Sequence, residues 1–174
     1  TGTGGQWQAR LISEDGSHFT VLFDGVEQGE VRWNLTGQHS VANALVTLAA
    51  ARHVGVVPAL GIAALSQFHS VKRRMEKVAE VRGITLYDDF AHHPTAIATT
   101  LDGLRKNVGK AQVIAVIEPR SNSMKLGAHR QGLPDSVLQA DRVFWYAPPN
   151  LGWDLAATVA GSPDERSALS AAEV

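Results

Sequence analysis

Hydrophobic and polar residues alternate along the first part of the chain, and glycine-containing turn signals interrupt the alternation. A period of two residues is typical of a β-strand with one buried face. Asp24-Gly25 and Gly29 are turn signals between such runs. The pattern predicts an antiparallel meander of three strands, at residues 7–12, 19–23 and 30–35. A sheet of this size needs another element against its apolar face.

The spacing of apolar residues changes to three and four after the meander, which predicts two helices. Ser40 is the predicted N-cap of the first helix, and Gly55 is its predicted end. Pro58 fits the first turn of the second helix, where its missing N–H is not needed. The first third of the chain is therefore expected to contain a small sheet and two helices.

A basic run at residues 69–76 separates these helices from a new strand–loop–helix pattern. We place a domain boundary in this run, with a first domain at residues 1–70 and a second at 71–174. In the second domain, Pro94 begins an amphipathic helix and Gly109 ends it. The predicted strands of this domain are at residues 76–81, 84–87, 112–117 and 142–146.

Polar loops follow three of these strands, at residues 88–93, 118–125 and 147–150. Right-handed crossovers bring such loops to one end of one parallel sheet, where ligands bind in open α/β folds. The continuous apolar run at 112–117 is typical of a strand covered on both faces. After Ser162 the chain is polar and alanine-rich, and no closing strand is expected. The predicted fold class is α/β, with a mainly parallel sheet preceded by a small meander and two helices.

Composition narrows the class of protein. The formal net charge of −1 disfavours a nucleic acid or an anionic membrane as partner. The absence of cysteine excludes a disulfide scaffold and a thiolate metal site. No apolar run approaches the roughly 20 residues that span a bilayer, and no signal-peptide pattern is expected at the start. These features predict a soluble, cytoplasmic protein.

Two carboxylates and two imidazoles lie between a predicted strand and a predicted helix, at Asp88, Asp89, His92 and His93. Capping and turn chemistry needs one such group, not four. A metal-dependent phosphoesterase would use these side chains as ligands. Adjacent strand residues point to opposite faces, however, so Asp88 and Asp89 cannot easily share one ion. A non-catalytic module that binds a nucleotide or a protein is a third alternative.

Three segments resemble the Mur ligases of peptidoglycan synthesis. Residues 37–43 read Gly-Gln-His-Ser-Val-Ala-Asn, and residues 87–95 read Tyr-Asp-Asp-Phe-Ala-His-His-Pro-Thr. Residues 118–127 read Glu-Pro-Arg-Ser-Asn-Ser-Met-Lys-Leu-Gly, which narrows the resemblance to the murein peptide ligases within that family. The resemblance covers about residues 7–159. It implies the end of a central ATPase domain followed by a Rossmann-like C-terminal domain that is truncated at its end.

The resemblance implies two sets of binding residues. The nucleotide set is His39, Asn43, Arg74 and Asp89, and the peptide set is Arg120, Ser121, Asn122 and Lys125. Asn43 matches the family asparagine at the adenine, Arg74 the hinge arginine that reaches the nucleotide, and Asp89 the aspartate that holds the ribose hydroxyls. The family usually has asparagine where this chain has Ser40. No complete catalytic set and no metal ligand is implied, although His92 and His93 line the same loop.

The implied activity is an ATP-dependent ligation in peptidoglycan recycling. It joins L-alanyl-γ-D-glutamyl-meso-diaminopimelate, the murein tripeptide, to UDP-N-acetylmuramate through an acyl phosphate on the lactyl carboxylate of the sugar. ATP and Mg²⁺ are the implied cofactors of the full-length enzyme. The phosphate loop, the Mg²⁺ ligands and the UDP-binding domain of the family have no counterpart in these 174 residues. The chain alone is therefore expected to be inactive and to bind none of these cofactors.

Overall fold

The computed structural model describes residues 5–149, 151–160 and the backbone of 167–170. The chain divides into two compact units, Thr1–Asp89 and Phe90–Val174. Each unit has its own cluster of buried hydrophobic side chains. In the part of the chain that is described, no helix has the length and apolar character needed to cross a membrane.

The first unit begins with the predicted antiparallel meander. It consists of β1 (Trp7–Leu11), β2 (His18–Phe23) and β3 (Val26–Arg32), in the order β1-β2-β3. β3 begins directly after the Asp24-Gly25 turn, so the expectation of a second turn at Gly29 is wrong. With a φ of 138°, Gly29 lies inside the strand, beside the register shift between β2 and β3. A bulge of this kind uses a glycine because other residues avoid such backbone angles.

Two helices complete the core of the first unit, α1 (Gln38–His53) and α2 (Pro58–Ser66). Pro58 begins α2 as predicted, but the N-cap of α1 is Gly37, with a φ of 88°. Ser40 lies inside the first turn and its Oγ donates to a backbone carbonyl at 2.8 Å, so the predicted cap is wrong. The helices and the meander share a core that consists of Phe19, Val21, Val31, Val41, Ala44, Leu45, Leu48 and Ile62.

An antiparallel hairpin ends the first unit. β4 (Glu76–Val81) and β5 (Ile84–Asp88) are joined by Arg82-Gly83, with φ of 52° and 79°. A two-residue turn of this type joins antiparallel strands, whereas parallel strands need a crossover of a dozen or more residues. The strand that leads into the 88–93 loop therefore belongs to a separate sheet. The expectation that all three polar loops leave one parallel sheet is wrong for this loop.

The second unit contains the parallel sheet. α3 (Pro94–Val108) has the predicted limits, and Gly109 follows it with a φ of 61°. The sheet order is β6-β7-β8, with β6 (Ile114–Ile117), β7 (Arg142–Tyr146) and β8 (Ser167–Ser170) all parallel. The shorter elements are α4 (Asn122–Lys125), a 3-10 turn (Arg130–Gly132), α5 (Leu133–Ser136) and α6 (Leu155–Ala160).

Two expectations about this sheet are wrong. β8 pairs with β7, although no strand was expected after Ser162. Its sequence Ser-Ala-Leu-Ser has little strand propensity, so pairing with β7 and not composition makes it a strand. β6 is not covered on both faces, because Ala115 is buried whereas Ile114 and Val116 are 52% and 75% exposed.

The compact units of the structure end at a different residue from the predicted domains. The compact division follows Asp89, so the β4–β5 hairpin groups with the meander and the first two helices. The boundary near residue 70 describes family domains and stays a prediction. In the predicted 147–150 loop, Asn150 lies outside the described residues.

Candidate functional site

In the first unit, two members of the nucleotide set, Arg74 and Asp89, act on the pKa of a third, His39. His39 is the second residue of α1, Arg74 precedes β4, and Asp89 follows β5. Partial loss of water lowers the pKa of His39, although the residue stays exposed; the Asp89 carboxylate opposes this shift and the Arg74 guanidinium adds to it. Charges act this way only from nearby. The fold thus brings together an imidazole that favours its neutral form, a cation and an anion.

The fourth member, Asn43, lies one turn beyond His39 on α1 and is exposed. Residues four apart on a helix lie on the same side of it, so both side chains are available from one direction. Between them, the Ser40 hydroxyl donates a hydrogen bond to the backbone carbonyl of Thr36. At this position, where the family usually has asparagine, the side chain of this protein bonds to the backbone at the start of the helix.

The segment at residues 70–76, which we call the hinge turn, has an unusual backbone around Arg74. Arg73 and Met75 have φ of 59° and 47°, in the left-handed region that side chains with a Cβ rarely adopt. Such backbone conformations persist only where several surrounding contacts hold them in place. The hinge turn therefore needs specific contacts to hold it.

Three side chains make those contacts with the backbone of the hinge turn. Each bond joins a polar side chain to a main-chain group of one of three consecutive residues. The Ser70 hydroxyl donates to the Arg74 carbonyl at 2.9 Å, the Arg73 N–H donates to the Glu76 carboxylate at 2.9 Å, and the Met75 N–H donates to the Asp89 carboxylate at 2.8 Å. The backbone of Arg74 is thus fixed on both sides, while its side chain stays exposed.

The two adjacent aspartates have different partners. Asp88 lies 3.4 Å from the Arg73 guanidinium in an ion pair whose two side chains are about half exposed. Asp89 accepts the N–H of Met75 and acts on the pKa of His39. Strand alternation separates the two carboxylates, as expected. Asp89 thus contacts the hinge turn beside Arg74 and acts on His39, whereas Asp88 pairs with Arg73; the nucleotide role of Asp89 stays a prediction.

The two histidines lie at the start of the second unit. His92 is exposed, and its Nδ1 lies 2.8 Å from the Phe90 carbonyl. His93 is the N-cap of α3, and its Nδ1 accepts the N–H of Thr95 at 3.2 Å. The Ser121 hydroxyl donates to the His92 carbonyl at 3.4 Å, which joins this loop to the loop after β6. The predicted proximity of the two loops is observed at this contact.

The metal alternative required the carboxylates and imidazoles of the 88–93 loop to converge. Among the described residues, which include all four side chains, no group of three His, Asp or Glu could hold a metal ion. All four side chains are also engaged locally, in an ion pair or in hydrogen bonds to backbone groups. Nothing in this geometry favours a metal-dependent phosphoesterase.

The peptide set occupies the turn after β6 and the short helix α4. Pro119 is fully buried and Arg120, the next residue, is exposed. Ser121 is the N-cap of α4 and its Oγ accepts the Met124 N–H at 3.3 Å. Asn122 is exposed and Lys125 is half-buried. The set therefore presents a guanidinium, an amide and an ammonium group from one anchored turn.

A second layer of contacts holds this turn. Trp153 donates its Nε1–H to the Met124 carbonyl at 2.7 Å, and the Gly152 N–H donates to the Lys125 carbonyl at 3.2 Å. In the same unit, the Asp141 carboxylate accepts a hydrogen bond from the Arg105 guanidinium at 2.6 Å. The loop after β7 thus supports the loop after β6.

Several residues of these sites were not expected from the sequence. Glu76 stands three residues after Arg73, the spacing at which a carboxylate reaches back in a capping box, so that contact had a sequence signal. Ser70, Trp153 and His129 had no such signal. Their partners lie elsewhere in the chain or depend on an irregular backbone.

Comparisons with known proteins identify relatives of this chain. UDP-N-acetylmuramate--L-alanyl-gamma-D-glutamyl-meso-2,6-diaminoheptandioate ligases of Escherichia coli K12 and Haemophilus influenzae are 49% and 46% identical over 156 residues. Each match covers 89% of this chain and 34% of the relative, so the chain spans about a third of the length of these relatives.

Solved structures give the same result. A murein peptide ligase from Psychrobacter arcticus matches with a TM-score of 0.62 and 48% identity, over 90% of this chain and 33% of that one. A UDP-N-acetylmuramate-alanine ligase from Thermotoga maritima has a TM-score of 0.78 at 20% identity, over 97% of this chain and 38% of that one, which shows a shared fold. The family described as Mur ligase, glutamate ligase domain, matches residues 73–173. The chain belongs to the Mur ligase family.

Proposed function

We propose that the chain is the nucleotide-closing and peptide-binding part of a cytoplasmic ATP-dependent ligase. The complete enzyme joins L-alanyl-γ-D-glutamyl-meso-diaminopimelate to UDP-N-acetylmuramate, the substrates in the names of the two relatives above. The observation that carries the proposal is that the Asp89 carboxylate accepts the N–H of Met75, next to Arg74, and acts with Arg74 on the pKa of His39, although separate parts of the sequence supply these residues.

Each member of the nucleotide set has a chemical role that suits ATP. A neutral imidazole at His39 suits the uncharged adenine, beside the exposed amide of Asn43. The Arg74 guanidinium suits a phosphate, and the Asp89 carboxylate accepts hydrogen bonds from ribose hydroxyls. Domain closure would bring these groups to the nucleotide and exclude water.

The peptide set suits the other substrate. The tripeptide carries several carboxylates, and the planar guanidinium of Arg120 can bind one of them with two parallel hydrogen bonds. Lys125 adds a second cation at the end of α4. In the reaction, ATP phosphorylates the lactyl carboxylate, the peptide amine attacks the acyl phosphate, and phosphate leaves the tetrahedral intermediate. The contribution of these residues is to position the peptide amine and to neutralise charge.

Mg²⁺ accompanies ATP in such reactions, where one or two carboxylates and the ATP phosphates usually hold it. Among the described residues of this chain, no group of three His, Asp and Glu side chains could hold a metal ion by itself. The Mg²⁺ ligands that the family resemblance implies have no counterpart in these 174 residues, so the proposal assigns the ion to the rest of the complete enzyme.

The test is a ligation assay with the full-length enzyme and four variants in two matched pairs. Arg120→Lys should raise the KM for the tripeptide, by about tenfold for each ~1.4 kcal/mol lost, and leave that for ATP nearly unchanged. Its control is Arg142→Lys, at an exposed arginine of β7. Asp89→Ala should raise the KM for ATP on the order of tenfold or more, as expected for a lost charged hydrogen bond. Its control is Asp88→Ala.

The proposal requires that Arg120→Lys raises the KM for the tripeptide and that Asp89→Ala raises the KM for ATP. Equal effects of Asp88→Ala and Asp89→Ala would favour a shared metal, and an effect of Arg120→Lys on ATP alone would contradict the role of the peptide set. Absence of any ligation by the wild-type enzyme would leave a non-catalytic binding module as the better account.

A further inference from the structure

The second unit contains a cavity outside the loops assigned so far. It has a volume of about 580 Å³, which is in the range of small-molecule sites. One wall is the start of α3, at His93 and Pro94, and the other is the segment 126–132, which follows α4. Apart from His93, none of the residues lining this cavity belongs to the nucleotide set, the peptide set or the 88–93 loop.

The charge of the lining residues points to an anionic ligand. Arg130 is exposed, and His93 and His129 are each half-buried. Gln131 adds an uncharged amide, and no Asp or Glu lines the cavity. A cavity with a permanent cation, two imidazoles and no carboxylate favours an anion such as a carboxylate or a phosphate.

The hydrogen bonding of His93 gives the cavity a directed donor. Its Nδ1 accepts the Thr95 N–H at 3.2 Å, so the neutral ring carries its proton on Nε2. The ring of His129 stands against that of His93, with centroids 4.1 Å apart and an interplanar angle of 62°. This contact and the capping bond together restrict the His93 ring, which leaves its Nε2–H as the group available to an acceptor.

The opposite wall is also fixed. Gly127 has a φ of 70°, and a Cβ at this position would lie 2.9 Å from Trp153. Because Trp153 also donates to the Met124 carbonyl, the chain is held on both sides of Lys125 and Leu126. A wall that is already ordered costs less conformational entropy on binding.

We infer that this cavity binds a carboxylate of the peptide substrate, with Arg130 as counter-ion and His93 and His129 beside it. The inference rests on the proposed function. A nucleotide phosphate would offer similar anionic oxygens, but the lining begins at Leu126, the next residue of the chain after Lys125 of the peptide set, whereas the nucleotide set belongs to the other compact unit. Arg120 and Arg130 then take different carboxylates of one ligand, and peptides that lack the second carboxylate bind less well.

The test compares Arg130→Gln with Arg142→Gln in the full-length ligase. Both arginines are exposed, so neither substitution disturbs a core, and circular dichroism checks the fold of each variant. Arg130→Gln should raise the KM for the tripeptide about tenfold and leave the KM for ATP unchanged, whereas Arg142→Gln should change neither. Among tripeptides amidated at one carboxylate at a time, one should show the same KM with wild type and with Arg130→Gln.

The remaining outcomes each overturn the inference. If Arg130→Gln weakens inhibition by inorganic phosphate, or raises the KM for ATP, without changing the tripeptide KM, the cavity is a phosphate site. If wild type ligates the tripeptide and Arg130→Gln has the same KM, the cavity has no role in peptide binding, although the proposed function stands. If wild type does not ligate the tripeptide, the proposed function and this inference both fail.

Discussion

At the scale of single residues, the pKa of His39 reports on two other members of the nucleotide set, Arg74 and Asp89. Its pKa is lowered by desolvation, raised by the Asp89 carboxylate and lowered by the Arg74 guanidinium. The two charged neighbours therefore have opposite effects, and each can be removed without removing the histidine. This makes the arrangement measurable in the absence of any ligand.

We expect Arg74→Gln to raise the pKa of His39 and Asp89→Asn to lower it. Removing the cation takes away a repulsion that disfavours imidazolium, and removing the anion takes away an attraction that favours it. The measurement is an NMR titration of the His39 ring in the 174-residue chain. Arg82→Gln, at the exposed turn of the hairpin, is the control. Shifts in the same direction for both variants would show that the three groups are not neighbours.

Single residues also show which side-chain contacts could be predicted from the sequence. Asp89 could be separated from Asp88 because strand alternation is a local rule that the sequence displays. The contact between His93 and His129 could not be foreseen, because it joins positions far apart in the chain and depends on how α3 packs. Local rules identify the chemistry of a side chain, and tertiary packing decides which other side chains it meets.

At the scale of elements, the hinge turn depends on a few side-chain bonds. Two of its residues are left-handed without being glycine, and each such residue costs on the order of 1–3 kcal/mol. The bonds from Ser70, Glu76 and Asp89 offset that cost. A turn held this way keeps its shape only while the bonds remain.

We expect Glu76→Ala to loosen the hinge turn at Arg73. The Arg73 N–H would lose its acceptor, and a net loss of about 1 kcal/mol would speed its hydrogen exchange about fivefold. Exchange at each backbone amide can be followed by NMR. Glu80→Ala is the matched control, because Glu80 is an exposed residue of the same strand that pairs with a lysine side chain. An unchanged rate at Arg73 would mean that the carboxylate does not hold the turn.

Element limits were predictable where a residue imposes them. Pro58 and Pro94 begin helices, and Gly109 ends one, because their backbone angles are restricted or permissive whatever surrounds them. The predictions about elements were wrong where pairing with another strand decides the structure. Gly29 is a bulge because β3 continues through it, and the strand at Ser167–Ser170 exists because β7 offers it a partner.

At the scale of the whole molecule, the two predicted binding sets belong to different units. The nucleotide set lies within Thr1–Asp89, and the peptide set lies within Phe90–Val174. Each unit encloses its own core. Phe19 and Val41 are buried in the first core, and Trp145 and Leu133 are buried in the second. The division of labour proposed for the chain therefore follows its division into compact units.

We expect the 174-residue chain alone neither to hydrolyse ATP nor to ligate the tripeptide. None of its residues form the Gly-rich loop with Gly-Lys-Ser/Thr that cradles ATP phosphates, and Gly109-Lys110 is followed by alanine. Phosphate release from ATP with Mg²⁺ is the measurement, with a heat-denatured sample as blank. Release above the blank would contradict the proposal that this chain supplies only part of the active site.

His93 illustrates how evolution can be constrained at one position by two demands. One edge of its ring completes the first turn of α3, and the other faces the cavity beside His129. Aspartate could keep the cap but would present a negative charge to an anion, and lysine could offer a donor to the anion but would lose the cap. A mutation here is therefore pleiotropic, since selection for stability and selection for recognition act on the same imidazole.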